Sequence, residues 1–247
     1  MKPKIIIFED PSEISKYAVE QIESELNKKP NLAIGLPTGK TVIPVYNELV
    51  RVYKDKKLNF SKTKIFDLDE YIGLSPEQKD SFEYFLNKNL FKRGKIPEKN
   101  LHFLKGSAIN ITRECEEYEE KIKKAGGIDL MFLGIGVNGH IAFNEPGSPF
   151  DSRTREVILT YQTKASNFGK IFSLFKSPKR ALTIGIGTIL ESKKIILIAT
   201  GNHKAKAVKE MLESPASTKC PASALQNHDD VTILLDKKAA ALLKKKS

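Results

Sequence analysis

Short apolar runs alternate with amphipathic segments along almost the whole chain, and this alternation restricts the fold more than any other feature of the sequence. KIIIF (Lys4 to Phe8), NLAIGLP, IDLMFLGIG, KKIILIATG and DVTILL read as strands. IDLMFLGIG is continuously apolar apart from one aspartate, as expected of a central strand covered on both faces. Between these runs, DPSEISKYAVEQIESELNKK, TVIPVYNELVRVYK, SFEYFLNKNLF, TRECEEYEEKIKKAG and HKAKAVKEMLES read as helices. In the first helix Asp10 serves as cap, Pro11 suits the first turn and Glu13 completes a capping box. Ile14, Ala18, Ile22 and Leu26 then repeat on one face. Gly126 and Gly127 close the fourth helix, and the last carries Ala205, Val208 and Met211 or Leu212 on one side. The closing LLKKKS reads as a frayed helix end. Strand and helix alternation of this kind predicts an α/β fold with a mostly parallel central sheet, helices on both faces and right-handed crossovers. With no internal repeat and no linker, residues 1–247 are expected to form a single domain.

Composition removes several classes. Hydrophobic content of 40% and charged content of 29% suit a soluble globular protein. No apolar run approaches the roughly 20 residues that span a bilayer, and the amino-terminal apolar run is too short for a signal-peptide core. Cys115 and Cys220 lie far apart without CxxC spacing, which suggests neither a metal site nor a disulfide framework. A cytoplasmic protein with no membrane partner is expected. The net charge of +11 raises the question of nucleic acid, but all but six of the 41 basic residues are lysines, scattered along the chain. With no nucleic-acid module in the sequence, the lysines read as a solvated surface and no nucleic-acid partner is expected.

Parallel α/β sheets place ligands beyond the carboxyl ends of their strands, and three strands here end in chemistry. The first ends in GLPTGKT (Gly35 to Thr41). A nucleotide-binding P-loop needs four residues between its glycine and the GK pair, whereas three separate Gly35 from Gly39. What remains is either a plain turn or a cradle of backbone N–H groups, formed by Pro37, Thr38, Gly39, Lys40 and Thr41, for a phosphate or sugar hydroxyls. The second, TKIFDLDEY, reads as one strand ending in Asp67, Asp69 and Glu70. If it continues that far, Asp67 and Asp69 share a face, to serve either as a crowded general base or as helix caps and salt bridges. The third ends in GIGVNGHIAFNEPG. His140, one of four histidines, is held between a glycine and an apolar pair, with Asn138 and Glu145 available to orient its ring. Gly136 lies just before them. The spacing lacks HExxH and no cysteine is near, so no metal is expected. Farther on, GNHKAKAV sets Lys204 just inside a helix, where a lysine anchors phosphate.

The order and spacing of GLPTGKT, FDLDEYIGL, LGIGVNGHIAFNEPGSPF, ALTIGIGTIL and ATGNHKAKAV resemble the glucosamine-6-phosphate deaminase family over nearly the whole chain. NGHIAFNEPG is the most specific of these signatures. Sugar-phosphate lactonases share the glycine-histidine corner but not the FNEP continuation. The resemblance implies a single-domain, Rossmann-like three-layer sandwich that deaminates glucosamine 6-phosphate to fructose 6-phosphate and ammonia without a cofactor. By analogy His140 opens the sugar ring, Glu145 and Asn138 set its tautomer and orientation, and Asp69 moves a proton from carbon 2 to carbon 1. Pro37, Thr38, Gly39, Lys40, Thr41, Gly136 and Lys204 then bind the phosphosugar. The alternatives are a galactosamine-6-phosphate deaminase, a sugar-phosphate lactonase and a non-catalytic sugar-phosphate-binding regulator.

Three departures from the family pattern carry their own expectations. Asn138 stands where many members have aspartate, which leaves Glu145 as the acid oriented on His140. In the expected lid, about residues 159–180, Asn167, Phe168, Gly169 and Lys170 stand where the family has an arginine, so Lys170 or Arg180 would replace its phosphate contact. By the same resemblance, regulated members bind the effector N-acetylglucosamine 6-phosphate at a subunit interface with SRTR and a lysine two residues after it; here Arg155 is kept but Val157 takes the lysine's place. The chain also ends early. Weak or absent allosteric activation and a monomer or small homo-oligomer are therefore expected.

Overall fold

The computed structural model describes residues 3–55, 58–161, 163 and 178–244. Ten strands and six α-helices are described. In chain order they are β1 (Lys4–Phe8), α1 (Pro11–Lys28), β2 (Ala33–Leu36), α2 (Ile43–Lys54), β3 (Lys64–Asp67), β4 (Asp69–Tyr71), α3 (Phe82–Leu86) and β5 (Leu101–His102). They continue as α4 (Ile111–Lys124), β6 (Leu130–Gly134), β7 (Arg155–Ile158), β8 (Arg180–Thr183), α5 (Ile186–Leu190), β9 (Lys194–Ala199), α6 (Ala205–Glu213) and β10 (Val231–Asp236). Seven strands form one sheet in the order β1-β10-β9-β6-β2-β3-β5, parallel throughout. Among the described residues no helix is long and apolar enough to cross a membrane.

The apolar runs explain the layering. Leu130 and Phe132 of β6, with Ile196 and Ile198 of β9, face a core closed by α1, α2 and α3. Met131 and Leu133, with Ile195 and Leu197, face the other way into a core closed by α4, α5 and α6. A strand with period two that is apolar at every position serves both faces, which is why the sequence shows no alternation there. α1 carries the expected capping box, with Asp10 accepting from Ser12 N at 2.8 Å and Glu13 reaching back to the cap, and it buries Ile14, Ala18, Ile22 and Leu26.

Three expectations need correction. TKIFDLDEY is not one strand: the chain leaves the parallel sheet at Leu68, and β4 joins a separate antiparallel sheet of order β4-β8-β7, with Asp69 opposite Thr183. Asp67 and Asp69 thus belong to different sheets. Lys204 lies in a 3-10 turn (Asn202–Lys204) that leads into α6, rather than inside that helix. At the other end of the chain Leu242, Leu243 and Lys244 lie in turn and irregular backbone, not a helix.

Candidate active site

Four adjacent strands, β9, β6, β2 and β3, deliver their carboxyl ends to one rim of the sheet. The sheet changes winding direction between β2 and β6, since β3 and β5 follow β2 on one side while β6, β9 and β10 build the other. Such a switch point opens a crevice for a ligand. β2 and β9 end alike. Gly39 (φ 110°) and Gly201 (φ 88°) adopt left-handed backbone open to glycine, and each begins a 3-10 turn, Lys40–Val42 or Asn202–Lys204, ahead of a helix. Gly201 N–H is held by both carboxylate oxygens of Asp236 at 3.0 and 2.9 Å. Each tip therefore presents a lysine beside the start of a helix, an arrangement suited to an anion. Burial lowers the pKa of Lys204 from its usual 10.5.

The β6 tip folds back on itself. Gly139 N–H donates to the Gly136 carbonyl at 3.0 Å, and Gly136 N–H to the His140 carbonyl at 2.8 Å. The imidazole then lies over Gly136, where an added Cβ would meet ring atoms at 2.3 Å; only glycine leaves room. Asn138 Nδ2 donates to Glu145 Oε2 at 2.8 Å, and Asn138 Oδ1 lies 2.7 Å from His140 Nδ1 while accepting from His140 N–H at 3.3 Å. A carboxylate only accepts, so Asn138 turns its NH2 group to Glu145 and its oxygen to the ring, and Nδ1 must carry the proton. The Nε2 lone pair is left for chemistry. Glu145 itself stands 3.7 Å from Nδ1. The expected orientation of the ring is thus direct from Asn138 and relayed from Glu145. Burial lowers the pKa of His140 from 6.5; the Glu145 charge opposes this and the nearby Lys204 ammonium adds to it. The ring is a neutral base.

The three acids of DLDE have separate fates. Glu70 accepts from Tyr71 N, Ser81 Oγ, Phe82 N and Glu83 N at 2.8, 2.6, 3.1 and 3.1 Å, which makes it the anchor of α3. Asp67 Oδ1 accepts from Leu104 N and the Tyr118 hydroxyl at 3.1 and 2.7 Å. Asp69, only 7% exposed, has no hydrogen-bond partner among the described residues, and burial followed by the Glu70 charge raises its pKa well above 3.8. It is the one acid of the three left for a ligand.

The described contacts tie the predicted residues into one neighbourhood. Tyr46 donates to the Pro37 carbonyl and, besides its burial, feels the charge of Asp69, so the Thr38 turn and Asp69 are neighbours. Phe143 N–H donates at 3.1 Å to Oγ1 of Thr183, which pairs with Asp69, and Asn144 Nδ2 reaches the Ile184 carbonyl at 2.9 Å. Ile184 N–H in turn holds the Leu68 carbonyl at 2.9 Å. Lys40 and Thr41 line the same turn, with Lys40 exposed. Sequence reasoning missed Tyr46, Thr183 and two threonines, Thr160 and Thr163, that hydrogen-bond Glu145. Only the TxxT spacing beyond a strand hinted at the threonines. The lid residues Asn167, Phe168, Gly169 and Lys170 lie outside the described residues. Arg180 is tied to Glu156 at 2.9 Å, and Arg155 braces the corner through Asn144 Oδ1 and Ser148 Oγ at 2.8 and 3.0 Å.

Fold and site together define an α/β protein that gathers a histidine, a glutamate and a buried aspartate beside two lysine-bearing turns at one rim of its sheet. The family model for glucosamine-6-phosphate isomerases/6-phosphogluconolactonase matches residues 11–234, and the chain belongs to that family. Proteins named glucosamine-6-phosphate deaminase are 44% identical in Thermoanaerobacter sp. (strain X514), covering 97% of this chain and 95% of the relative, and 46% identical in Clostridium botulinum (strain Langeland / NCTC 10281 / Type F), covering 98% and 100%. A monomeric glucosamine-6-phosphate deaminase of known structure superposes with a TM-score of 0.93 at 39% identity, over 97% of this chain and 99% of that one. The 6-phosphogluconolactonase from Trypanosoma cruzi, at 22% identity and a TM-score of 0.75, shares the fold.

Proposed function

We propose that the chain converts glucosamine 6-phosphate and water to fructose 6-phosphate and ammonia. The observation that carries this reading is the division of labour at the sheet rim: a neutral imidazole whose Nε2 lone pair, and a buried carboxylate whose oxygens, meet no hydrogen-bond partner among the described residues. The phosphate binds against Lys204 and the turn from Pro37 to Thr41, with Gly136 leaving space beside the ring. His140 Nε2 takes the proton from the anomeric hydroxyl and returns it to the ring oxygen, which opens the pyranose to the aldehyde. Asp69 takes the proton from carbon 2 and delivers it to carbon 1. The electron pair released at carbon 2 moves toward the carbonyl oxygen, which takes a proton from the neighbouring ammonium group to give the enolamine, and reprotonation at carbon 1 leaves a ketose iminium. Water adds at carbon 2 and ammonia departs. A lactonase needs a base for water but no acceptor for a carbon-bound proton, so the open Asp69 favours the deaminase over the lactonase and over a binding-only protein. The residues given roles here all belong to one chain, and we infer a monomer. Because its substrate is a phosphorylated sugar, we assign the protein to the cytoplasm.

The test is ammonia release from glucosamine 6-phosphate and galactosamine 6-phosphate at equal concentration. Turnover of the gluco compound is expected. Turnover of the galacto compound alone would move the assignment to the other amino sugar, and ammonia from neither would end the deaminase reading.

A further inference from the structure

We infer that Thr160 and Thr163 are positioning residues for His140, acting through Glu145 and Asn138. Thr163 Oγ1 donates to Glu145 Oε1 in a close contact, and Thr160 Oγ1 lies 3.1 Å from the same oxygen. Thr163 N–H donates to Thr160 Oγ1 at 3.2 Å, and for the one proton of that hydroxyl the charged Glu145 Oε1 is a nearer acceptor than Thr163 Oγ1 at 3.3 Å. Among the described residues these two hydroxyls are the only partners of Oε1, and the only cation-forming group near Glu145 is the imidazole, 3.7 Å away. The other oxygen, Oε2, is thereby aimed at Asn138 Nδ2, 2.8 Å away, and Asn138 Oδ1 at Nδ1 of the ring. The clamp is itself anchored. Leu159 is buried and its N–H donates to the Lys179 carbonyl at 3.0 Å, continuing the β7–β8 ladder.

The chemistry at stake is the tautomer. A glutamate has three rotatable side-chain bonds, and burial alone does not choose which oxygen faces Asn138. Once Oε1 loses its donors, the carboxylate can swing away, and only the long 3.3 Å bond from His140 N–H to Oδ1 then opposes the Asn138 amide turning over. Its NH2 group would then face Nδ1, place the ring proton on Nε2 and remove the lone pair that abstracts the sugar's hydroxyl proton. The kinetic consequence rests on the deaminase reading; the structural one does not.

Both are measurable on the full chain. Nitrogen-15 NMR of the imidazole should show the Nδ1–H tautomer of His140 in the wild type and in Thr163→Ser, and a tautomer mixture in the Thr160→Val/Thr163→Val pair. In the pair, kcat should fall roughly ten- to a hundredfold with KM within about twofold of wild type. The acid limb of its pH profile should move to lower pH, because the ring loses the opposing Glu145 charge while Lys204 continues to push its pKa down. Exposed Thr160 allows Thr160→Val as a mild single variant, expected to shift the tautomer part of the way should the pair fail to fold. An unchanged tautomer and kcat in the valine variants would overturn the proposal, as would equal losses in Thr163→Ser and Thr163→Val. A wild type inactive on both amino-sugar phosphates would defeat the functional reading, while the tautomer shift would still decide this one.

Discussion

Among the three carboxylates of DLDE, hydrogen-bond partners rather than burial set the role of each. Asp69 is the least satisfied, and a buried carboxyl that holds its proton more tightly in the folded state than in the unfolded chain subtracts stability as pH climbs past its ordinary 3.8. Asp69→Asn should therefore abolish exchange of the carbon 2 hydrogen with solvent and yet raise Tm at neutral pH, by about 2–4 °C per kcal/mol gained in a chain of this size. A lower Tm by calorimetry, or exchange at the wild-type rate, would contradict the role given to this side chain. The same groups define a pH profile. Activity needs Asp69 ionised and His140 neutral; burial raises the first from 3.8 and lowers the second from 6.5, so in kcat/KM the Asp69 step should lie above the ordinary carboxylate position and the His140 step below the ordinary imidazole one. Deprotonation of Lys204, lowered from 10.5, should bring the descending limb below the usual lysine range. An ascending limb at the ordinary carboxylate position would count against both assignments.

At the scale of elements, the break at Leu68 matters most, because it turns Asp69 out of the parallel sheet and sets Glu70 under α3. Glu70→Gln replaces an acceptor of four hydrogen bonds with a group that donates from one end, facing backbone N–H groups and the Ser81 hydroxyl. A loss of about 1–3 kcal/mol is expected, seen as a lower denaturation midpoint. Because the Glu70 charge also raises the pKa of Asp69, the acid limb of the variant should move to lower pH. A normal midpoint would mean that α3 does not depend on this anchor. None of this junction was legible in the sequence: no glycine or proline interrupts TKIFDLDEY, and the change of sheet is accompanied by the hydrogen bond from Ile184 to Leu68, more than a hundred residues away along the chain. The same holds for the partners of Glu145 and for the small antiparallel sheet. By contrast α1, β6 and the glycine-histidine corner were legible, because the capping box, the apolar run and the crowding of the His140 ring over Gly136 depend on residues a few positions apart.

For the whole molecule, the decisive fact is that every predicted site residue comes from strand tips of one chain, and β8 ties the Asp69 and His140 branches together through Thr183 and Ile184. The segment that aligns with the regulated enzymes' effector motif is also used internally: Arg153 is held by Glu119 and Glu191 at 2.6 Å each, Arg155 by Asn144 and Ser148, and Val157 packs beside Tyr71, Phe143, Leu159 and Ala181. With both arginines engaged in the fold and an apolar side chain where a cation would stand, an anionic effector finds little to bind, and the monomer proposed above has no second site with which to cooperate. Light scattering should therefore give a mass near 27.7 kDa, with specific activity independent of protein concentration. The rate should follow a hyperbola in glucosamine 6-phosphate, unchanged by added N-acetylglucosamine 6-phosphate. A sigmoidal curve that the acetylated sugar straightens would show that the arginines let go of their present partners, and that copies of the chain assemble to share the effector.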